Sequence, residues 1–201
     1  MSKIESMLDF WIGADNISPE GWDEKQKLWY ASDTSVDDEI RERFGAELDA
    51  AERGKRENWK DSLRGQLALI VLYDQFSRNL YRGSPDVYRN DAEAVAVTDM
   101  IVSAGQLAEL NVPAHILVFH PYHHAEDQHR QERVLDLARQ LLTRCEPGWR
   151  QSIESNLAYM ENHAGVIRRF GRFPHRNRVL ARESTPEEIQ HLEKDCRTFG
   201  Q

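Results

Sequence analysis

Apolar side chains recur along this chain at intervals of three and four residues almost from end to end, the spacing of helices with one buried face. No run alternates β-branched and polar residues as a strand would. Glycine and proline fall between the periodic segments rather than inside them. The pattern predicts helices over residues 2–11 and 22–31, then one capped by Asp33, Thr34 or Ser35 that passes Ile40, Phe44 and Leu48 and stops near Gly54. Asp61 or Ser62 opens the most apolar helix, which runs through Leu67, Ile70 and Val71 to about Tyr81. Gly83-Ser84-Pro85 closes it, a helix over 86–105 comes next, and a shorter one follows Pro113. Segments 124–143, 148–170 and 186–197 complete the set. Seven to nine helices with short connections predict an all-α fold of antiparallel helical hairpins, with no repeat of fixed period.

Length changes little in this picture: 201 residues suit a single all-helical domain over 1–201 with a real core. The longest apolar run, 67–73, is far too short to span a bilayer, so no membrane partner is expected. The opening MSKIESMLDFWIG lacks the basic, apolar and small-residue segments of a signal peptide. Cys145 and Cys196 are far apart and form no metal-ligand pair, so reduced thiols in a cytoplasmic protein are expected. A net charge of −8 argues against nucleic acid as a general partner. Oligomeric state is not legible.

Charge is unevenly placed. Residues 163–182, HAGVIRRFGRFPHRNRVLAR, hold six arginines (Arg168, Arg169, Arg172, Arg176, Arg178 and Arg182), two histidines and no acid. With those six cations taken out of a net −8, the remainder of the chain stands at −14. Such a block either pairs with carboxylates elsewhere in the fold or holds an anion. His163 lies beside the apolar stripe of Ile153, Leu157, Met160, Ala164 and Ile167, where a histidine is most often a hydrogen-bonded core residue. Gly171 is placed to end the helix, and its dipole accounts for Arg168 and Arg169. It does not account for Arg172, Arg176 and Arg182. Arg168 and Arg178 are expected to be solvated and tolerant of change, while Arg172 and Arg176 flank the stiff Phe173-Pro174 turn.

Two further clusters carry polar chemistry. Asp74, Arg78 and Arg82 stand at i, i+4 and i+8 on the most apolar helix. They predict either an internal ion network or one wall of a polar pocket. In the segment HPYHHAED, residues 120–127, Pro121 is expected to break a helix. His124 then falls near the N-cap of the next one, with Glu126 and Asp127 in its first turn, where the dipole favours acids. A histidine and a carboxylate there also suit acid–base work. The histidine spacing matches no established zinc site, and neither a metal nor a cofactor is expected. Asp91 shares a stripe with Val87, Ala94, Val95, Thr98 and Val102 and should point inward toward a cation.

The segments DQFSRNLYRG, HPYHHAE and HAGVIRRFGRFPHRNRVLAR, with the opening FWIG, the Trp22–Trp29 segment and STPEE, closely resemble the bacterial family catalogued as domain of unknown function 924. The resemblance implies stacked helical hairpins in a right-handed superhelix similar to tetratricopeptide-repeat domains, and no settled activity. It carries the family's polar positions onto Asp74, Gln75, Arg78, Asn79, Arg82, Asp91, His124, Glu126, His163, Arg169, Arg172, His175, Arg176, Asn177 and Arg182. The chain departs from the family at Ala125, usually a small hydroxyl residue, at Ser77, usually proline, and at Ala181, usually glycine. Ala125 weakens any mechanism that needs a serine nucleophile there.

Three functions remain open. The first is a binding module for an anionic small molecule or a peptide carboxylate, held by Arg78, Arg82, Asp91, Arg169, Arg172, His175, Arg176, Asn177 and Arg182. The second is a hydrolase-type enzyme, with or without a metal, that uses His124 or His163 with Glu126 or Asp74 as acid–base groups. The third is an interaction scaffold in which the polar network is purely structural. The absence of a nucleophile elbow, phosphate loop or dinucleotide fingerprint puts binding ahead. The expected arrangement is one pocket where Asp74, Asp91 and Glu126 meet Arg78, Arg172, Arg176, His124 and His163.

Overall fold

The computed structural model describes residues 1–30 and 34–194, and among these the structure is helical with no strand. Helices α1 (Lys3–Trp11), α2 (Pro19–Tyr30) and α3 (Thr34–Glu52) lead into α4 (Leu63–Ile70). A π-helical stretch (Val71–Phe76) and a short α5 (Ser77–Leu80) continue α4 without a break. Then follow α6 (Asp91–Ser103), α7 (Val112–His124), α8 (Gln128–Arg144), α9 (Arg150–Phe170) and α10 (Pro186–Lys194). Side-chain caps set several starts: Ser2 accepts from the Glu5 N–H, Ser62 from Gly65, Asn111 from Ala114 and Asp127 from Arg130. Gly171, at φ 68°, ends α9 in the left-handed conformation that glycine adopts without strain.

Two rods form the axis of the molecule. Every residue from Gly65 through Ser77 is buried, as is every residue of α7 from Pro113 to His124. Helix α4 packs on α1, α6 and α7, while α7 packs on α6, α8 and α9. Short connections make α6/α7, α7/α8 and α8/α9 successive hairpins. One apolar cluster runs from Met7 to Ala164, and Val166, Ile167 and Phe173 form a smaller one at the far end of α9. Among the described residues no helix is long and apolar enough to cross a membrane.

Three expectations need correction. Pro121 does not break its helix. Helix α7 runs through it to His124, because packing encloses the helix on every side, and the His120 imidazole lies against the carbonyls of Ile116 and Leu117, the second of which loses its N–H partner to proline. His124 is therefore in the last turn of α7, Glu126 lies in the connection, and Asp127 caps α8. The helix expected from Asp86 is only a 3₁₀ turn (Pro85–Tyr88); α6 starts at Asp91, after Asn90 has turned inward to Glu52 and Ser77. Asp33, Cys196 and the end of the segment expected over 186–197 lie outside the described residues. Cys145 is a free thiol.

Candidate functional site

The π-helical stretch presents Asp74, the most enclosed acid among the described residues at 0% exposure. Such bulges place one extra residue in a turn and recur at functional sites. The Ser77 N–H reaches back to the Leu72 carbonyl, and its hydroxyl donates to the same oxygen at 3.2 Å, which fixes the end of the bulge. One Asp74 oxygen accepts from Gln75 Nε2 at 2.5 Å; the other faces Arg78 Nη1 at 3.2 Å and His124 Nδ1 at 2.8 Å. Arg78 then forks onto Asp91, Nη1 to Oδ1 at 3.0 Å and Nη2 to Oδ2 at 3.3 Å. Asp91 has the N-terminus of α6 behind it, which favours a negative charge. Burial still raises its pKa, more than Arg78 lowers it.

Arg176 stands across from this group and is 4% exposed. Its guanidinium is sandwiched between the Tyr88 and Phe173 rings, each centroid 4.5 Å away. The Asp91 carboxylate lies 3.9 Å from Nη1, beyond hydrogen-bond length, and Nε has no partner among the described residues. Burial, followed by repulsion from Arg78, lowers the Arg176 pKa.

Four imidazoles close the other side. Centroid separations are 4.9 Å for His120–His123, 4.3 Å for His123–His124 and 5.0 Å for His123–His163. Burial pushes all four pKa values down, His163 to about 3, so they are neutral at pH 7. His123 and His124 are depressed further by the charges around them. Neither ring nitrogen of His123, itself 1% exposed, has a hydrogen-bond partner among the described residues. No three His, Cys, Asp or Glu side chains among the described residues are grouped to hold a metal.

The expected single pocket thus divides. Asp74, Asp91, Arg78, Arg176, His124 and His163 do converge; Glu126 and Arg172 belong to a second network that clamps the arginine block. Arg182 forks onto Glu126 at 2.6 and 2.9 Å, and the Phe173 N–H donates to Glu126 at 2.8 Å. Burial would raise the Glu126 pKa, but Arg182 and the Phe173 N–H outweigh it and the pKa falls. Arg172 forks onto buried Glu188 of α10 at 2.7 and 2.8 Å, and Asn177 also donates to Glu188, whose pKa falls to about 2 chiefly through the Arg172 hydrogen bonds. Arg82 leaves the Asp74 stripe because its helix ends at Leu80; with Asn79 it holds Asp37 of α3. Arg169 is exposed and stacks on Phe170, while His175 sits beside Phe173 with its pKa lowered to about 4 by burial and by Arg176. Arg168 and Arg178 are exposed as expected, and Arg168 pairs with Glu132 on the surface.

Sequence reasoning missed His120, His123, Tyr88, Asp37 and Glu188. Glu188 was detectable: Thr185-Pro186-Glu187-Glu188 is a capping box, and the Thr185 and Glu188 side chains each accept the other's N–H, at 3.2 and 2.8 Å. His120 and His123 precede His124 in a histidine-rich run, but only the unbroken α7 turns them toward one space.

Comparison with known proteins fits this architecture. The family model described as a bacterial protein of unknown function (DUF924) matches residues 7–196. No curated protein matches the chain. Among solved structures, a protein of unknown function from Agrobacterium tumefaciens is similar at 32% identity with a TM-score of 0.78, over 96% of this chain and 97% of that one. The chain belongs to the DUF924 family.

Proposed function

We propose that this member of the DUF924 family binds a small anion at Arg176, beside the Asp74–His124 pair. The carrying observation is Arg176 itself: a buried guanidinium, stacked between two rings, with no carboxylate at hydrogen-bond distance among the described residues. Arg78, Arg82, Arg172 and Arg182 each hold a carboxylate already. A buried cation without hydrogen bonds is costly, and a ligand oxygen supplies what is missing. A planar guanidinium matches carboxylate and phosphate oxygens two at a time. Residues of the second network, Arg172, Asn177, Arg182 and Glu126, act as scaffold in this reading.

The test is a thermal-shift titration with acetate and phosphate at constant ionic strength, on the native chain and on Arg176→Met. Ligand at a hundred times its Kd adds about 2.7 kcal/mol to the native state. The native chain should gain melting temperature and the variant should not. An equal gain in both overturns the assignment.

One observation favours enzymatic use of the same space. Asp74 accepts a hydrogen bond from His124 Nδ1 at 2.8 Å, the arrangement in which a buried carboxylate orients an imidazole as general base. With Ala125 beside it, the nucleophile would be water, and Arg176 would stabilise developing negative charge. Glu126 is committed to Arg182 and the Phe173 N–H and is a poor base. Ester and amide hydrolysis assays on the native chain and on His124→Gln decide this: turnover in the native chain alone supports it, and turnover in neither removes it.

A further inference from the structure

We infer that the ligand is a small molecule with a single carboxylate group that also carries a hydrogen-bond donor, a hydroxyl or an ammonium group; this rests on the anion site at Arg176. The positions of the imidazole protons decide the class of ligand. A carbonyl oxygen only accepts, so the 2.7 Å contact of His120 Nδ1 with the Ile116 carbonyl places the proton on Nδ1. The 3.0 Å contact of His163 Nδ1 with the Tyr159 carbonyl does the same. A carboxylate also accepts, so His124 donates from Nδ1 to Asp74. Each ring is neutral and therefore has one proton, which leaves Nε2 of all three as a lone-pair acceptor.

The three rings are close neighbours. Ring centroids of His120 and His124 are 5.6 Å apart, those of His124 and His163 are 6.4 Å apart, and His123 lies between them without a hydrogen bond among the described residues. The Nε2 atoms of His120 and His124 have no partner there either, and both side chains keep a little exposure, 6% and 9%. A plain carboxylate satisfies Arg176 and leaves the Nε2 lone pairs of His120 and His124 without a donor among the described residues. A ligand with both an oxyanion and a donor satisfies both walls. Charge narrows the class further. Asp91 stands 3.9 Å from Arg176, and Asp74 is fully buried, so a second negative charge on the ligand is disfavoured while an ammonium is welcome.

The experiment compares propionate, lactate and alanine, which share a three-carbon frame, by calorimetric titration of the full chain and of Arg176→Met. Lactate or alanine should bind at least tenfold more tightly than propionate, and Arg176→Met should abolish binding of all three. Nitrogen-15 spectra of the imidazoles supply a second reading that needs no variant. Free protein should show His120, His124 and His163 protonated at Nδ1, and the tighter ligand should move the Nε2 resonances where propionate does not. If propionate binds as well as both others, the donor requirement is overturned while the anion site stands. If no carboxylate binds the native chain, both readings fall. Nε2 protonation of His120 and His124 in the free protein also overturns the inference.

Discussion

Arg176 and Arg172 stand four residues apart in one cation block, yet the forces on them differ. Arg172 holds Glu188, which is 2% exposed, so Arg172→Ala should strand a buried carboxylate and lower the melting temperature clearly. Arg176 holds nothing by hydrogen bond among the described residues, so Arg176→Met exchanges an unsatisfied buried cation for an apolar chain of similar length between the same two rings. Its melting temperature should match or exceed that of the native chain, while binding of acetate disappears. A melting temperature far below native would show that the cation is structural. Asp91 supplies the complementary test, because its carboxylate competes with any anion for Arg176. Asp91→Asn keeps the shape of the Arg78 contact and removes a unit charge about 4 Å from Arg176, which should tighten acetate binding by about tenfold. Titration calorimetry that finds weaker binding would place the anion elsewhere. Inward-facing Asp91 was readable from helical spacing; its partner was not, because spacing reports a face of one helix and not which neighbour lies opposite.

At the level of elements, the sequence displays what depends on one segment and conceals what depends on several. Caps at Ser2, Ser62 and Asn111 and the stop at Gly171 are local chemistry. The unbroken path of α7 through Pro121 comes from helices packed on all its sides, and the bulge that presents Asp74 leaves no mark in the spacing of apolar residues. The start of α4 is similarly set from outside. A Cβ on Gly65 would sit 2.1 Å from the Trp59 carbonyl oxygen, a backbone atom of the preceding 3₁₀ turn (Glu57–Asp61) that has no rotamer to change. Gly65→Ala should therefore cost about 3 kcal/mol or more, because the turn must move. Gly171→Ala meets no atom within 4 Å and bears only the left-handed backbone, about 1–2 kcal/mol. Urea midpoints should rank the two in that order. Equal losses would mean that the turn yields, and that the path into the π-helical stretch is softer than its packing indicates.

Across the whole molecule, the buried imidazoles set the response to pH. Unfolded, each histidine titrates near 6.5; folded, His120, His123, His124 and His163 are all shifted downward, His163 to about 3. Below pH 6.5 the unfolded chain thus binds more protons than the native one. The stability these groups contribute is full above 6.5 and is lost as pH falls toward their folded values. Each histidine that stays neutral in the fold contributes a slope of about 1.4 kcal/mol per pH unit. Asp91 acts in the opposite sense, since its folded pKa is raised and protonation there favours the native state, but it is one group against these four and against His115 and His175, which are shifted downward as well. Glu188, depressed to about 2, adds its own loss only below its unfolded value of 4.5. Unfolding free energies from urea titrations should be level between pH 8 and 7, then drop steeply between 6.5 and 5, before the carboxylates contribute. A profile that stays flat to pH 5 would mean that the imidazoles are already charged or solvated in the native state. In that event the neutral acceptor wall facing Arg176 does not exist, and the preference for a donor-bearing carboxylate loses its physical basis. A drop that keeps its full slope to lower pH on adding alanine or lactate would tie the same histidines to the ligand, because occupancy of their lone pairs holds them neutral in the native state while the unfolded chain goes on taking up protons.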